Sequence, residues 1–127
     1  MHYIIRFETS KFDVAQEEHQ QADSVWGQSL LLWLKDRLSG QFQLEDPGRQ
    51  DWGWFTTIEW QGRTYQLCAS AMEAATDGYE WVFQVAKERS LREKLSGREQ
   101  MTRNDECLLF FKSLFESDPE FKYIAIE

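Results

Sequence analysis

Apolar and polar residues alternate with a period of two in three consecutive stretches of the chain, at 54–60, 64–71 and 79–87. In the first stretch Trp54 and Ile58 fall on one face and Phe55 on the other. Strict alternation of this kind predicts half-buried strands. Gln61 and Gly62 separate the first two stretches, and a two-residue turn ending in glycine predicts a hairpin. The pattern therefore predicts an antiparallel meander of three strands in the middle of the chain.

Two longer segments, 24–38 and 102–117, repeat apolar residues every three or four positions. This spacing is typical of amphipathic helices with one buried face. Asp23 or Ser24 can cap the first helix, because their side-chain oxygens accept hydrogen bonds from unpaired backbone N–H groups. A shorter helix is expected to begin after Ser90, which a glutamate follows three positions later in a capping-box pattern. The sequence therefore predicts two long helices and one short helix.

Two short apolar segments, 3–8 and 121–126, predict strands near the two ends of the chain. The polar segments 10–23 and 41–51 are expected to be connections, the former a loop or an exposed helical turn. The element order is β-α-β-β-β-α-α-β, and the terminal strands are expected to join the meander. The sequence predicts a single α+β domain over 1–127, with an antiparallel sheet of about five strands packed as one layer against helices. The predicted core on the helix-covered face consists of Trp54, Ile58, Trp60, Tyr65, Leu67, Trp81, Phe83 and Val85.

The composition is that of an acidic globular protein. The chain has 127 residues, with 14 lysines and arginines against 22 aspartates and glutamates, which gives a formal net charge of −8. This sign argues against nucleic acid or an anionic membrane as a partner, because phosphate contacts need a surplus of basic residues. The longest purely apolar run, 30–34, is far shorter than the roughly 20 residues of a membrane span. We expect neither a membrane partner nor direct contact with nucleic acid.

The first residues and the cysteines indicate a reducing compartment. Residues 1–6 contain no basic region followed by a long apolar run, so no signal peptide is expected. Cys68 and Cys107 are far apart in the chain and form no Cys-x-x-Cys pair. Reduced thiols in the cytoplasm are the expectation for such cysteines, while a single bridge between them stays open from the sequence.

Motifs for catalysis and for metal or cofactor binding do not occur in the sequence. The two histidines, His2 and His19, lie outside any zinc-binding or metallohydrolase pattern. The sequence contains neither a nucleophile elbow nor a glycine-rich phosphate loop. His19 follows Glu17 and Glu18, and we interpret it as a solvated residue of an acidic loop. We therefore assign no catalytic residue, no metal and no cofactor, and predict a protein that is not an enzyme.

Charge is unevenly distributed along the chain. The stretch 87–103 has six basic and three acidic residues, a surplus of three positive charges. The rest of the chain has eight basic and 19 acidic residues, a net charge of −11. Acidic loops can steer a basic protein partner, although a net charge of this size also serves solubility. The basic stretch could bind nucleic acid or an acidic peptide, but it lacks interleaved aromatic residues and its own glutamates can neutralise it.

Trp52 is the aromatic residue that best fits a surface anchor. It follows Asp51 and, together with Trp54, flanks Gly53 where a strand begins. A tryptophan beside acidic residues is typical of a binding hot spot, whereas a second hydrophobic cluster beneath the 41–51 loop is the alternative. We predict a partner-binding site on the loops between strands, formed by Asp46, Asp51, Trp52, Glu73, Asp77 and Glu80.

The hairpin and the segments after it resemble parts of small bacterial proteins. The residues that carry the resemblance are Trp54, Ile58-Glu59-Trp60-Gln61-Gly62-Arg63, Tyr65, Leu67, Trp81-Val82-Phe83 and Lys87-x-Arg89-Ser90-Leu91. In size, acidity and α+β layout the chain is similar to immunity proteins of contact-dependent and polymorphic toxin systems. The resemblance implies a protein that binds and neutralises a cognate toxin domain, often a nuclease with a basic groove. It transfers no functional residue to this chain.

Two other functions stay open from the sequence. A nucleic-acid mimic, or a regulatory inhibitor of phage type, would carry acidic residues spaced like phosphates on one face. A small enzyme would use carboxylates and a tyrosine in a concave pocket. The function we predict is stoichiometric binding of a basic toxin domain, with acidic loops for steering and Trp52 as an anchor.

Overall fold

The computed structural model describes residues 3–17, 25–50, 52–74 and 78–127. In this part of the chain there are six strands, three α-helices and one short 3₁₀ turn, which confirms the predicted α+β class. Their bounds are β1 Tyr3–Thr9, the 3₁₀ turn Val14–Gln16, α1 Gln28–Arg37, β2 Gly48–Gln50, β3 Gly53–Trp60, β4 Arg63–Glu73, β5 Tyr79–Lys87, α2 Leu91–Ser96, α3 Glu106–Glu116 and β6 Lys122–Ile126. None of the described helices is long and apolar enough to cross a membrane.

The strands form one antiparallel sheet in the order β2-β3-β4-β5-β1-β6. The central meander β3-β4-β5 is the one that the alternation predicts, and both terminal strands join it as expected. The described sheet has six strands rather than about five, because β2 forms within a segment expected to be a loop. Its residues, Gly48, Arg49 and Gln50, show no apolar alternation, and their pairing with β3 makes them a strand.

The β3–β4 hairpin turns through Gln61 and Gly62, whose φ angles are 50° and 80°. Left-handed conformations at both central positions give a turn whose twist matches that of the two strands it joins. The resulting register pairs Ile58 with Tyr65. One face of the hairpin therefore carries the residues that the sequence assigns to the core.

α1 and α3 lie on the same face of the sheet and enclose the core. α1 packs against β3 and β4, and α3 packs against β6. The ring centroid of Phe83, on β5, lies 5.1 Å from that of Phe111 and 5.4 Å from that of Phe115, both on α3. All the predicted core residues are buried in this cluster, except Trp60, which is partly buried against it. The covered face of the sheet therefore supplies the apolar burial that stabilises the fold.

α1 begins at Gln28, later than predicted, and a distant side chain caps it. Glu17, expected in a polar loop, is buried, and its Oε1 accepts hydrogen bonds from the backbone N–H groups of Gly27 (2.9 Å) and Gln28 (3.2 Å). Its Oε2 accepts from the Ser29 N–H (2.9 Å) and from the Ser29 hydroxyl. The start of α1 therefore depends on a tertiary contact. The residues predicted to cap it lie outside the described part of the chain, namely Asp23 and Ser24.

Gly27 allows the segment before α1 to lie directly against β4. A Cβ atom at this position would stand 2.2 Å from the carbonyl oxygen of Ala69, so any side chain would collide with backbone. Trp26, one residue earlier, pairs with Ala71 through a backbone hydrogen bond of 2.9 Å. This extended pairing with β4 explains why the helix cannot begin as early as the hydrophobic periodicity suggests.

The other two helices show when a capping signal can be recognised in sequence. α2 follows the predicted capping box, in which Ser90 Oγ accepts from the Glu93 N–H and the Glu93 carboxylate accepts from the Ser90 N–H. α3 begins at Glu106 rather than near 102, because Asp105 is its N-cap. α2 therefore begins where its two-residue capping pattern predicts, whereas α3, whose prediction rests on hydrophobic periodicity, begins later than predicted.

Candidate functional site

The sheet has a second face, which α1 and α3 leave uncovered. We call it the outer face, and it comprises the even-numbered residues of β1, β4 and β5 and the odd-numbered residues of β3. Among the described residues, none on this face belongs to the hydrophobic core cluster. An antiparallel sheet covered on one side normally presents polar side chains to solvent on the other. The outer face departs from this pattern at its centre.

The centre of the outer face consists of neutral and apolar side chains. One row across the strands runs through Phe55, Cys68, Gln84 and Ile4, and Val82 stands in the adjoining row. Cys68 is only 3% exposed, although it lies on the face that α1 and α3 leave uncovered. Among the described residues, Trp52, Val82 and Gln84 line a depression beside it. The result is an uncharged surface in the middle of the sheet.

Trp52 and Met72 extend this neutral surface at one end of the sheet. Trp52 lies in the turn before β3 and is 51% exposed, and Met72, near the end of β4, is 55% exposed. Trp52 lines a shallow depression together with Cys68, Ser70 and Val82 of the outer face. Large exposed apolar side chains that adjoin a neutral surface are typical of sites for protein–protein contact.

Acidic groups outnumber basic groups around this surface. The outer face carries the carboxylates of Glu8, Glu59 and Glu80 and the guanidinium of Arg6, and Lys122 of β6 pairs in register with Glu8. Arg6 Nη1 lies 2.6 Å from Glu80 Oε1, and Arg6 Nε pairs with Glu127. The hydrogen bonds to Glu127 and Glu80 raise the pKa of Arg6 above its ordinary value. By formal charge the four carboxylates on and beside this face, those of Glu8, Glu59, Glu80 and Glu127, outnumber the two cations of Arg6 and Lys122.

The structure brings three of the predicted partner-binding residues to one end of the sheet. Trp52 precedes β3, Glu73 ends β4 and Glu80 lies at the start of β5. Glu73 is exposed, whereas Glu80 is held in its ion pair. Asp46 lies elsewhere, beside α1, where its carboxylate pairs with Lys35. The remaining two predicted residues lie outside the described part of the chain, namely Asp51 and Asp77.

The exposure of Trp52 argues against one of the two interpretations of that residue, the second hydrophobic cluster. A tryptophan within a second hydrophobic cluster beneath the 41–51 loop would be buried, whereas half of Trp52 faces solvent. The sequence prediction does not include Met72, because the predicted strand ends at Ala71, whereas β4 continues to Glu73. Extending the period of two from Cys68 by four positions would have placed Met72 on the outer face.

A polar network and a cavity of about 250 Å³ lie at the opposite end of the sheet. The Tyr65 hydroxyl donates to Asp105 Oδ2 (2.9 Å), and Lys87 Nζ lies 3.4 Å from the same oxygen. Asp105 Oδ1 accepts from the backbone N–H groups of Cys107 (2.9 Å) and Leu108 (3.3 Å). Both carboxylate oxygens therefore bind donors, and these contacts fix the start of α3 on the sheet.

The tyrosine of this network is a weaker acid than a free tyrosine. Burial raises the pKa of Tyr65 above its ordinary value of 10.0, and the hydrogen bond to Asp105 raises it further. The Tyr65 hydroxyl therefore keeps its proton at neutral pH and donates it in the hydrogen bond to Asp105. These contacts join Tyr65 on β4 to Asp105 at the N-terminus of α3 and so position the helix on the sheet.

The two cysteines are free thiols. Cys68 lies on the outer face and Cys107 lies in the core cluster, so the bridge that the sequence left open is not formed. Burial raises the pKa of Cys68 to about 11 and also raises the pKa of Cys107 above its ordinary value. Both therefore stay protonated at neutral pH and are weak nucleophiles.

No group of three His, Cys, Asp or Glu side chains in the described ranges is arranged to hold a metal ion. The two histidines, His2 and His19, lie outside those ranges. Compared with known proteins, the chain matches no protein-family model, no curated protein and no solved structure. We therefore infer function from the outer face, which combines a neutral centre, two exposed apolar side chains and an acidic margin.

Proposed function

We propose that this protein is a non-catalytic binding protein that receives a basic protein partner on its outer face. Its resemblance in size, acidity and layout to immunity proteins suggests that the partner is a toxin domain, such as a nuclease. In this proposal the chain acts in the cytoplasm, where it occludes the toxin by stoichiometric binding. Steering by acidic groups brings the partner close, and burial of apolar side chains then holds it.

The observation that carries this proposal is the neutral, partly apolar centre of the outer face. Solvent-facing positions of an antiparallel sheet are ordinarily polar, whereas Phe55, Val82 and Ile4 occupy such positions here. Trp52 and Met72 add exposed apolar area beside them. Strands spaced about 4.8 Å apart give a six-stranded face whose area is of the same order as the roughly 800 Å² that each partner buries in a standard interface.

The acidic margin supports a basic partner rather than an acidic one. The chain has a formal net charge of −8, and complementary charge raises the rate of association between proteins. Within the described residues Glu73 forms no ion pair, so its charge acts outward at the end of the sheet that carries Trp52. Glu80 contributes less, because Arg6 compensates its charge.

The distribution of these charges supports a protein partner over mimicry of nucleic acid. A mimic needs carboxylates spaced like phosphates across one face. The carboxylates of Glu8, Glu59 and Glu80 stand instead near the ends of their strands, with neutral residues between them. An apolar centre inside a charged margin is the arrangement of a protein–protein interface.

The test is a calorimetric titration of the chain with the purified product of the neighbouring gene, at low and at high salt. Trp52→Ser is the test variant, and Tyr123→Ser is its control, because Tyr123 is an exposed aromatic residue on β6 at the far edge of the sheet. We expect Trp52→Ser to weaken binding about thirtyfold, as for a hot spot of about 2 kcal/mol, and the control to stay within about twofold. Higher salt should weaken binding of both variants.

Three results would contradict this proposal. The first is tight binding that neither Trp52→Ser nor added salt weakens. The second is no binding, together with a toxin whose activity the chain does not reduce in cells. The third is turnover of a small substrate by the purified chain, which would favour the enzyme alternative instead.

A further inference from the structure

The short helix α2 presents two leucines to solvent. Leu91 is 73% exposed and Leu95 is 80% exposed, and α2, which is described in full, buries none of its residues. Residues four positions apart lie on the same side of a helix, so the two side chains form one patch. We call them the leucine patch. The hydrophobic effect does not hold this helix against the body of the protein, so another interaction must.

Polar contacts hold α2 in place. The capping box joins Ser90 and Glu93 at its first turn. Arg63, at the start of β4, binds the Glu93 carboxylate with two hydrogen bonds of 2.8 Å and 3.1 Å. The guanidinium of Arg89 donates to the backbone oxygens of Glu93 (3.1 Å) and Arg98 (3.0 Å). The helix is therefore anchored through one polar side, and the leucine patch is displayed rather than left on a loose segment.

Helix geometry places basic side chains on both flanks of the leucine patch. Successive residues rotate by about 100°, so Leu91 and Leu95 point away from Glu93, the residue that faces Arg63. Arg92 follows on one flank and Lys94 on the other. Both are exposed.

The cations near the leucine patch differ from those on the polar side of α2. Arg63 and Lys87 are in ion pairs with carboxylates. In the described part of the chain, the side chains of Arg92, Lys94 and Arg98 form no ion pair, and all three are exposed. An apolar patch among unpaired positive charges matches a surface that is apolar and acidic.

We propose that α2 is a docking surface for an acidic, leucine-bearing segment of a second protein. Nucleic acid is disfavoured, because 88–103 contains no aromatic residue on which a base could stack. A membrane is disfavoured because a single acyl chain anchors a protein to a bilayer only marginally, and two leucines would bury less apolar surface than such a chain. The formal net charge of −8 also opposes an anionic bilayer.

This surface is separate from the outer face and does not depend on the function proposed for it. β5 runs from Tyr79, at the end of the sheet near Trp52, to Lys87, just before α2. A strand of that length spans about 27 Å. An acidic segment on α2 and a basic partner at Trp52 could therefore be bound at the same time.

The test uses a synthetic, fluorescent amphipathic peptide with leucine on one face and glutamate on the other. Its binding to the chain is measured by anisotropy at low and high salt. We expect saturable binding that salt weakens, and a loss of at least about tenfold in the double variant Leu91→Ser/Leu95→Ser. Arg92→Glu/Lys94→Glu should lose as much affinity and also most of the salt dependence. Because none of these residues is buried, thermal unfolding should stay unchanged in both variants.

Two controls separate this proposal from the one for the outer face. Leu32→Ser/Leu109→Ser removes exposed leucines from α1 and α3 and should bind the peptide like the parent. Trp52→Ser should also bind it normally, so failure of the outer-face proposal leaves this result intact. The α2 proposal is overturned if the peptide does not bind, or if the Leu32/Leu109 pair weakens it equally. It is also overturned if the leucine patch drives binding to phosphatidylserine vesicles or self-association in sedimentation instead.

Discussion

The two faces of β5 differ in what they contact. Trp81 and Phe83 are fully buried beneath the helices, whereas Val82 and Gln84, each one residue along, lie on the outer face. Strand geometry requires this, because successive side chains point to opposite sides of a sheet. One face of this strand holds the fold together, and the other is free of that role and is the face on which we propose that a partner binds. Substitutions on the two faces should therefore separate stability from binding.

The largest contrast is expected between Phe83→Ala and Gln84→Ala in this same strand. Phe83 contacts the rings of Phe111 and Phe115, so its truncation leaves a cavity and should lower the free energy of unfolding by about 3–5 kcal/mol. Gln84→Ala removes only outer-face atoms and should cost about 0.5 kcal/mol or less. Urea denaturation measures both. Equal losses in the free energy of unfolding for the two variants would mean that both faces of β5 contribute to packing, which would contradict the difference between the faces.

A smaller loss of stability is expected at the start of α1, which the buried carboxylate of Glu17 caps. Glu17→Ala leaves the N–H groups of Gly27, Gln28 and Ser29 without their acceptor and should lower the free energy of unfolding by about 2–3 kcal/mol. Asp13→Ala is the control, because Asp13 accepts one exposed hydrogen bond, from the Ala15 N–H, and should cost about 0.5–1 kcal/mol. If Glu17→Ala unfolds no earlier than Asp13→Ala, the tertiary cap does not hold α1.

The polar network at the far end of the sheet should matter less. Tyr65→Phe removes the hydroxyl that donates to Asp105 and should lower the free energy of unfolding by about 1 kcal/mol. Tyr79→Phe is the matched control, because within the described residues the Tyr79 hydroxyl has no hydrogen-bond partner, and its effect should stay below about 0.5 kcal/mol. Chemical denaturation at neutral pH compares them. A Tyr65 variant as stable as the control would remove the network from the account of how α3 is fixed.

The smallest effect is expected at the partly exposed Arg63–Glu93 pair, and its size depends on pH. Hydrogen bonds from Arg63, and then from the Ser90 N–H, lower the pKa of Glu93 from 4.5 to about 2. A carboxyl with a lower pKa in the folded chain stabilises it above pH 4.5, and this contribution is lost as the pH falls toward 2. The difference in unfolding midpoint between parent and Glu93→Gln should therefore shrink across that window. Glu88 is the control, because it is in no ion pair among the described residues, and the midpoint of Glu88→Gln should differ from that of the parent by the same amount across this window. A difference between parent and Glu93→Gln that grows toward low pH would contradict the pairing with Arg63.

The sequence predicted those parts of the fold that local patterns determine. The alternation of Trp54, Ile58 and Tyr65 predicted the meander and its buried face, and Ser90 predicted the start of α2. β2 was not predicted, because its polar residues form a strand only through pairing with β3. The true start of α1 was not predicted either. It depends on Glu17, a residue that reaches the helix only after the chain has folded.

The candidate site was predictable in part. Trp52 stood out by its sequence neighbours, and its exposure fits that prediction. The neutral centre of the outer face was not foreseen, because Cys68 and Met72 gain their surroundings from register with other strands. Asp46 was grouped with Trp52 on loop position alone, whereas its contact with Lys35 places it beside α1. Loop membership does not say which end of a sheet a residue reaches, and strand pairing does.

The central claim is that the outer face, and not the helix-covered side, binds the partner. The direct measurement titrates the neighbouring gene product into two variants that add the same charge, Gln84→Arg on the outer face and Ser113→Arg on the exposed side of α3. We predict that Gln84→Arg weakens binding by at least about tenfold with unchanged thermal stability, while Ser113→Arg stays within about twofold of the parent. Equal affinities for the two variants, or a loss confined to Ser113→Arg, would contradict the account.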